Sequence, residues 1–143
     1  MLNYFCKRLF TGIFFGVSIF LIVSCSSKKE VKGRIIYEMR NAGDKEISID
    51  INRYSGGRIR KICIQPPYLT KNLMEKMVGE KVDDFSEVDD KFFVLWIFRD
   101  AKIPMKIKFH RWEEINFGEP PAGCASTSWV KIVNSQLYLS ERE

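Results

Sequence analysis

The sequence predicts an all-β fold, a small antiparallel β-sandwich of about seven strands with one short helix. Three observations predict it. Apolar residues alternate at a period of two in "EISIDINRY" and "IPMKIKFHRW", the mark of half-buried strands. Phe92 to Phe98 is a continuous apolar run, too short to span a membrane and suited to a central strand buried on both faces. Gly, Pro and Asn interrupt the pattern at short intervals, where turns belong. A barrel is the other architecture this pattern allows.

The elements follow in order. Residues 34–40, within "GRIIYEMRN", are a first strand candidate, and "NAGDK" is a hairpin loop after it. Ile47, Ile49 and Ile51 then point one way, with Ser48 and Asp50 the other. Gly56-Gly57 signals a tight turn. "RIRKICIQ" is the next strand, with Ile62 and Ile64 on the face opposite Cys63, and Pro66-Pro67 ends it. Leu73, Met74, Met77 and Val78 recur at helical spacing between an N-cap at Thr70 and a stop at Gly79. "EKVDDFSEVDD" is an acidic loop. After the Phe92–Phe98 run, "DAKIP" turns the chain; Ile103, Met105, Ile107 and Phe109 point inward and Lys106, Lys108 and His110 outward. "EEINFGEPPAGCAS" is a long Pro/Gly loop. Two short strands around Asn134-Ser135 close the chain. So many short, turn-punctuated strands give the sandwich an immunoglobulin-like look.

The front end is different in kind. Lys7 and Arg8 precede the apolar run "TGIFFGVSIFLIVS". Its length fits the core of a signal peptide and is short for a spanning helix, although adding Leu9 and Phe10 leaves an uncleaved anchor open. The run ends in Ile22, Val23, Ser24 and Cys25. This resembles the lipobox of bacterial lipoproteins. The resemblance implies lipidation of Cys25, cleavage before it, and acylation of the new amine. Several acyl chains, at about 0.8 kcal/mol per buried methylene, anchor stably where one does not. The family sorts by the residue after the cysteine, and Ser26 favours the outer membrane over the inner. Residues 1–24 are then the signal, 25–33 the acylated cysteine and a short polar tether, and 34–143 a single β-rich periplasmic domain.

Removing the signal changes the balance of charge. The whole chain carries +5; without Lys7 and Arg8, 21 basic residues face 18 acidic ones, a net charge of +3. That balance argues against nucleic acid as a partner. Of four cysteines, Cys6 leaves with the signal and Cys25 takes the lipid. Cys63 and Cys124 remain, in an oxidising compartment and without a CxxC motif, and are expected to form one disulfide. Two buried free thiols are the alternative.

No residue pattern announces catalysis, a metal or a cofactor. His110 is the single imidazole, on the polar face of a strand. Ser126 and Ser128 lack a nucleophile-elbow setting. The acidic stretch lacks the register and glycine of a calcium loop and is at its simplest a solvated loop. Its other reading is recognition. Asp83, Asp84, Glu87, Asp89 and Asp90 around Phe85 suit a basic groove on another protein, where complementary charge speeds association and selects the partner. The loop pinned by Cys124, and the basic row Lys106, Lys108, His110 and Arg111 with Trp112, are secondary candidates.

Size, the lipobox, "KICIQPP" and a second cysteine after a Pro/Gly loop together resemble the periplasmic immunity lipoproteins of type VI secretion systems. That resemblance implies a non-enzymatic, membrane-held inhibitor that binds a secreted toxin stoichiometrically; no residue transfers from a family motif. A structural or assembly lipoprotein of the envelope is the alternative, and a wall-cleaving hydrolase is a third.

Overall fold

The computed structural model describes residues 18–100, 103–113, 121–134 and 136–140. The greater part of the expected signal, residues 1–17, lies outside them. The chain folds as α1 (Ser18–Ala42), β1 (Ile47–Asp50), α2 (Asn52–Ser55), β2 (Ile59–Gln65), α3 (Lys71–Val78), β3 (Phe92–Arg99), β4 (Met105–His110), β5 (Gly123–Ala125), β6 (Trp129–Val133) and β7 (Gln136–Ser140). The strands form two antiparallel sheets, β1-β6-β7 and β4-β3-β2-β5. The two sheets make the chain mainly β, but where one short helix is expected the described residues also hold the 25-residue α1 and the single turn of α2. Its strand order is not the immunoglobulin one, in which the first two strands share a sheet; here β1 and β2 are in different sheets.

About seven strands are expected and seven occur among the described residues, but they are not the same seven. Residues 34–40 are helical, in the second half of α1. Val31, Ile35, Met39 and Ala42 are buried, at spacings of four, four and three. That is the inner stripe of an amphipathic helix. The stripe begins at Val31 and ends at Ala42, so residues 34–40 hold only Ile35 and Met39 of it. Arg34 pairs with Glu38 one turn on, and the carbonyl of Tyr37 accepts a 2.6 Å bond from Asn41 Nδ2. Gly43, at φ 54°, ends the helix. The supposed tether is helical as well, and Ser27 and Val31 within it are buried.

β1 stops at Asp50 rather than running on to Ile51. Asp50 Oδ1 accepts the amide of Asn52 at 3.1 Å and the Ser128 hydroxyl at 2.8 Å, an Asx turn that redirects the backbone. Ile51 is still buried, as the residue that opens α2. Gly56, at φ 69°, is the C-cap of α2 and not a hairpin turn.

The four-stranded sheet has two covered faces, and alternation along β3 shows both. Phe93, Leu95 and Ile97 join Ile62, Ile64, Ile107 and Phe109 in the main core, with α1 and with Ile49, Ile132 and Leu137 of the other sheet. Val94, Trp96 and Phe98 join Cys63 in a second cluster, roofed by Met74 and Val78 of α3 and by Val82 and Val88 of the acidic loop. Ile62 and Ile64 thus do lie opposite Cys63. α3 also forms as expected: Thr70 Oγ1 accepts from the Leu73 amide, and Gly79, at φ 81°, closes it.

Two further expectations change. Ile103 is exposed, not inward, while Met105, Ile107 and Phe109 are buried. The Pro/Gly loop contains a strand: β5 pairs with β2 in direct register, Cys63 opposite Cys124. Those two cysteines form the disulfide, 61 residues apart. Residues 114–120 of that loop lie outside the described residues.

Candidate functional site

The acidic loop between α3 and β3 has no regular secondary structure, yet it is tied down along its length. Val82 and Val88 are buried near its two ends. Phe85 stacks at 6.3 Å on Trp96, which stacks at 6.2 Å on Phe98. The Trp96 indole N–H donates to Gln65 Oε1 at 2.7 Å, and Gln65 Nε2 donates to the Ser86 carbonyl at 2.9 Å. Gln65 is fully buried, and this chain meets both ends of its amide. The Val82 amide donates to Glu75 Oε1 at 3.1 Å, and the Tyr68 amide to the Val88 carbonyl at 2.9 Å.

The predicted contact residues divide into two groups. Asp84 and Phe85 serve the fold. Asp84, at φ 57°, is a residue in the left-handed region; its carboxylate pairs with Lys106 of β4, whose ammonium also reaches the Asp84 carbonyl at 2.6 Å. Phe85 is half-buried under its stack. Asp83, Glu87, Asp89 and Asp90 are exposed. Asp89 Oδ1 accepts from the Lys91 amide at 3.1 Å, which sets the entry to β3.

The Lys106 ammonium, hydrogen-bonded to Asp84, holds that carboxyl below its ordinary value. A carboxyl depressed in the folded state stabilises the fold at neutral pH; the contribution is lost as pH falls through the folded value. The carboxylate is solvent-exposed, so the effect is small and local. Lys106→Met should return the Asp84 carboxyl to the ordinary range, read by carbon NMR titration; an unchanged titration would show that Lys106 is not its cause.

The basic row is also largely satisfied within the chain. Besides Asp84, the Lys106 ammonium lies 5.2 Å from the centre of the Trp96 ring, and the Lys108 ammonium 3.7 Å from that of Phe92. Arg111 donates to the Asp90 carbonyl at 3.1 Å. His110 Nδ1 accepts from the amides of Trp112 and Glu113 at 3.4 and 3.1 Å, and its ring sits edge-on to Phe92 at 4.9 Å. His110 therefore shapes the turn after β4.

β4 and β5 are opposite edges of the four-stranded sheet. Three interstrand steps of about 4.8 Å separate them, roughly 14 Å, so His110 and Ser126 are not brought together as a nucleophile and its base. An open cleft of about 630 Å³ borders Cys124, Ser126, Thr127 and Ser128, with Lys61 and Met77 across it. Three of its groups are engaged: Lys61 donates to the Val78 carbonyl, Ser128 to Asp50, and Thr127 accepts from the Trp129 amide at 3.0 Å. Among the described residues, no three His, Cys, Asp or Glu side chains converge to hold a metal ion, and no helix is long and apolar enough to cross a membrane.

What the structure adds is the surroundings of Asp89 and Asp90. Tyr68 and Trp112 are exposed at 67 % and 53 %. Tyr68 is bonded to Val88 and Arg111 to Asp90 and Lys91, so both aromatics border the carboxylates at the Phe92 end of β3. Tyr68 has φ 57°, a strained backbone for an aromatic residue. The two prolines before it were legible as a strand stop, but nothing in them signalled an exposed ring at this end. No protein-family model matches the chain, and no curated protein or solved structure shows significant similarity to it.

Proposed function

We propose that this chain is a lipid-anchored protein of the cell envelope that works by binding another protein, without catalysis. The observation that carries the reading is the acidic loop. It is held in shape by buried residues while Asp83, Glu87, Asp89 and Asp90 face solvent. A loop already ordered loses little entropy when a partner arrives. Tyr68 and Trp112 add exposed aromatic area beside the carboxylates, the residue types that most often dominate interface energetics. The partner that fits is a protein with a basic, partly apolar groove. Within this class we favour an inhibitor that holds a secreted toxin at the membrane, in the manner of the type VI immunity lipoproteins; a structural subunit of an envelope assembly is the second member of the class. The three-stranded sheet is taken as the second layer of a sandwich, because Ile49, Ile132 and Leu137 share one buried cluster with Ile62, Leu95 and Ile107.

Affinity capture with the full chain in detergent tests this reading, using extracts of the host and products of neighbouring genes. One tight protein partner is expected. Glu87→Lys with Asp90→Lys should slow its association and flatten the salt dependence, and Trp112→Ala should weaken binding roughly 30-fold or more. Co-purification of glycan alone, or binding indifferent to all three substitutions, would remove the reading.

A further inference from the structure

The geometry points to a fixed orientation on the membrane: the end of the domain bearing Lys28, Lys29, Arg58 and Arg60 lies directly on an anionic lipid surface, with the acidic-aromatic end turned away from it. This rests on the lipid-anchor reading of Cys25.

The argument begins with slack. A flexible tether over residues 25–33 would reach roughly 30 Å at about 3.3 Å per residue. The chain there is instead helical, and Ser27 is already packed. The position a β-carbon would take on Gly56 lies 3.5 Å from Ser27 Cβ, so the first packed turn of α1 rests on the end of α2. At 1.5 Å per residue, Cys25 and Ser27 are about 3 Å apart along the axis. Acyl chains on Cys25 would hold this end of the domain against the headgroups, well within the roughly 8 Å Debye length of physiological salt. A 30 Å tether would leave it several Debye lengths away.

The second part is what this end presents. Lys28 and Lys29 are exposed on the turn of α1 that carries Ser27. Gly57 approaches Arg99, whose guanidinium donates to the Ser55 carbonyl at 2.9 Å. Arg60 donates to the Arg99 carbonyl at 3.1 Å, and the Arg58 carbonyl accepts from the Asp100 amide at 3.2 Å. Arg58 and Arg60 therefore extend the basic surface across the Arg99 end of β3. Arg60 has Glu80 at 3.8 Å; Lys28, Lys29 and Arg58 make no ion pair among the described residues. Glu30, Glu80 and Asp100 are acidic residues alongside.

The third part is direction. β3 runs from Phe92, beside Asp90, to Arg99. Eight residues span about 23 Å, so the exposed carboxylates Asp89 and Asp90 sit at the far end from the basic rim. The far end carries Lys91, Lys108 and Arg111 beside its carboxylates, so it is turned away by the anchor at Cys25 and by the attraction of the basic rim to anionic lipid, not by repulsion of its own. The anchored domain would then offer Tyr68, Asp89, Asp90 and Trp112 to a partner arriving from the aqueous side.

The test places the purified full-length protein on vesicles of phosphatidylcholine alone, or mixed with phosphatidylglycerol, and follows amide hydrogen exchange. Slower exchange over residues 27–33 and 56–60 is expected on the mixed vesicles only, and it should fade at high salt. At roughly fivefold per basic group, the triple reversal K28E/K29E/R58E should reduce the docked population about a hundredfold or more, while K76E on the exposed side of α3 should not. Lipid-independent exchange at these segments, or protection centred on Asp89 and Trp112, overturns the proposal. The mass of the N-terminal peptide is read on the same sample. An acylated protein without anionic-lipid protection keeps the anchor and loses the orientation; an unacylated protein that still shows protection does the reverse.

Discussion

Replacing Ile35 with alanine should lower the stability of the domain by about 2–5 kcal/mol, the range for removing a fully buried isoleucine from a packed core. Ile35 is completely buried between α1 and the main core. Alanine is the better helix former, but that offsets only a few tenths of a kcal/mol, so packing decides the sign. Two companions test the period. Tyr37 would share a face with Ile35 in a strand, but it is 58 % exposed on the helix; Tyr37→Ala should change stability by no more than about 0.5 kcal/mol. Val31→Ala, in the segment expected to be a tether, should cost about 2 kcal/mol. Denaturant midpoints measure all three. Equal losses at positions 35 and 37, with none at 31, would restore the strand and the tether.

Removing the Cys63–Cys124 disulfide should cost about 4 kcal/mol. The two cysteines are 61 residues apart, and a closed loop of that size restricts the unfolded chain by about this amount in the entropic account. Domains of this size are commonly stable by 5–15 kcal/mol, so reduction would bring the protein towards the margin of folding. The damage should be uneven. β5 has three residues paired with β2 along one edge of the sheet, and the crosslink fixes it there. Cys63 lies in the buried cluster under α3, so its neighbours Val94 and Trp96 should keep their packing longer than β5 keeps its pairing. Guanidinium titrations with and without reductant give the total, and amide exchange over Gly123–Ala125 gives the order. An unchanged midpoint, or intact exchange protection in β5, would show that the crosslink contributes little.

The parts of the fold that were legible share a physical property: their signal is local. β3 is a run of apolar residues covered on both faces, and the run itself says so. α3 carries its own cap at Thr70 and its own stop at Gly79. In β2, alternation puts Ile62 and Ile64 opposite Cys63, whatever the neighbouring strand is. The β6–β7 hairpin turns at Asn134, which has φ 49°. The acidic loop was legible as a loop for the same reason, through its composition.

The parts that were missed depend on partners distant in the sequence. β5 is three residues long, and only β2 gives it a reason to extend. β1 pairs with β6, about eighty residues further on, which no turn signal beside β1 can announce. The structural role of Asp84 and Phe85 becomes visible only once Lys106 and Trp96 are placed beside them.

By itself the sequence determined the end of the apolar run at Cys25, the pairing of Cys63 with Cys124, and the apolar spine of the four-stranded sheet. These follow from composition and from periods of two, which neighbouring residues carry. Only the tertiary structure decided that residues 27–42 form a helix packed into the core, and which carboxylates of the acidic loop are tied to the fold and which face solvent. Both are matters of which surface finds a partner inside the molecule, and burial of that kind is settled by packing between elements far apart along the chain.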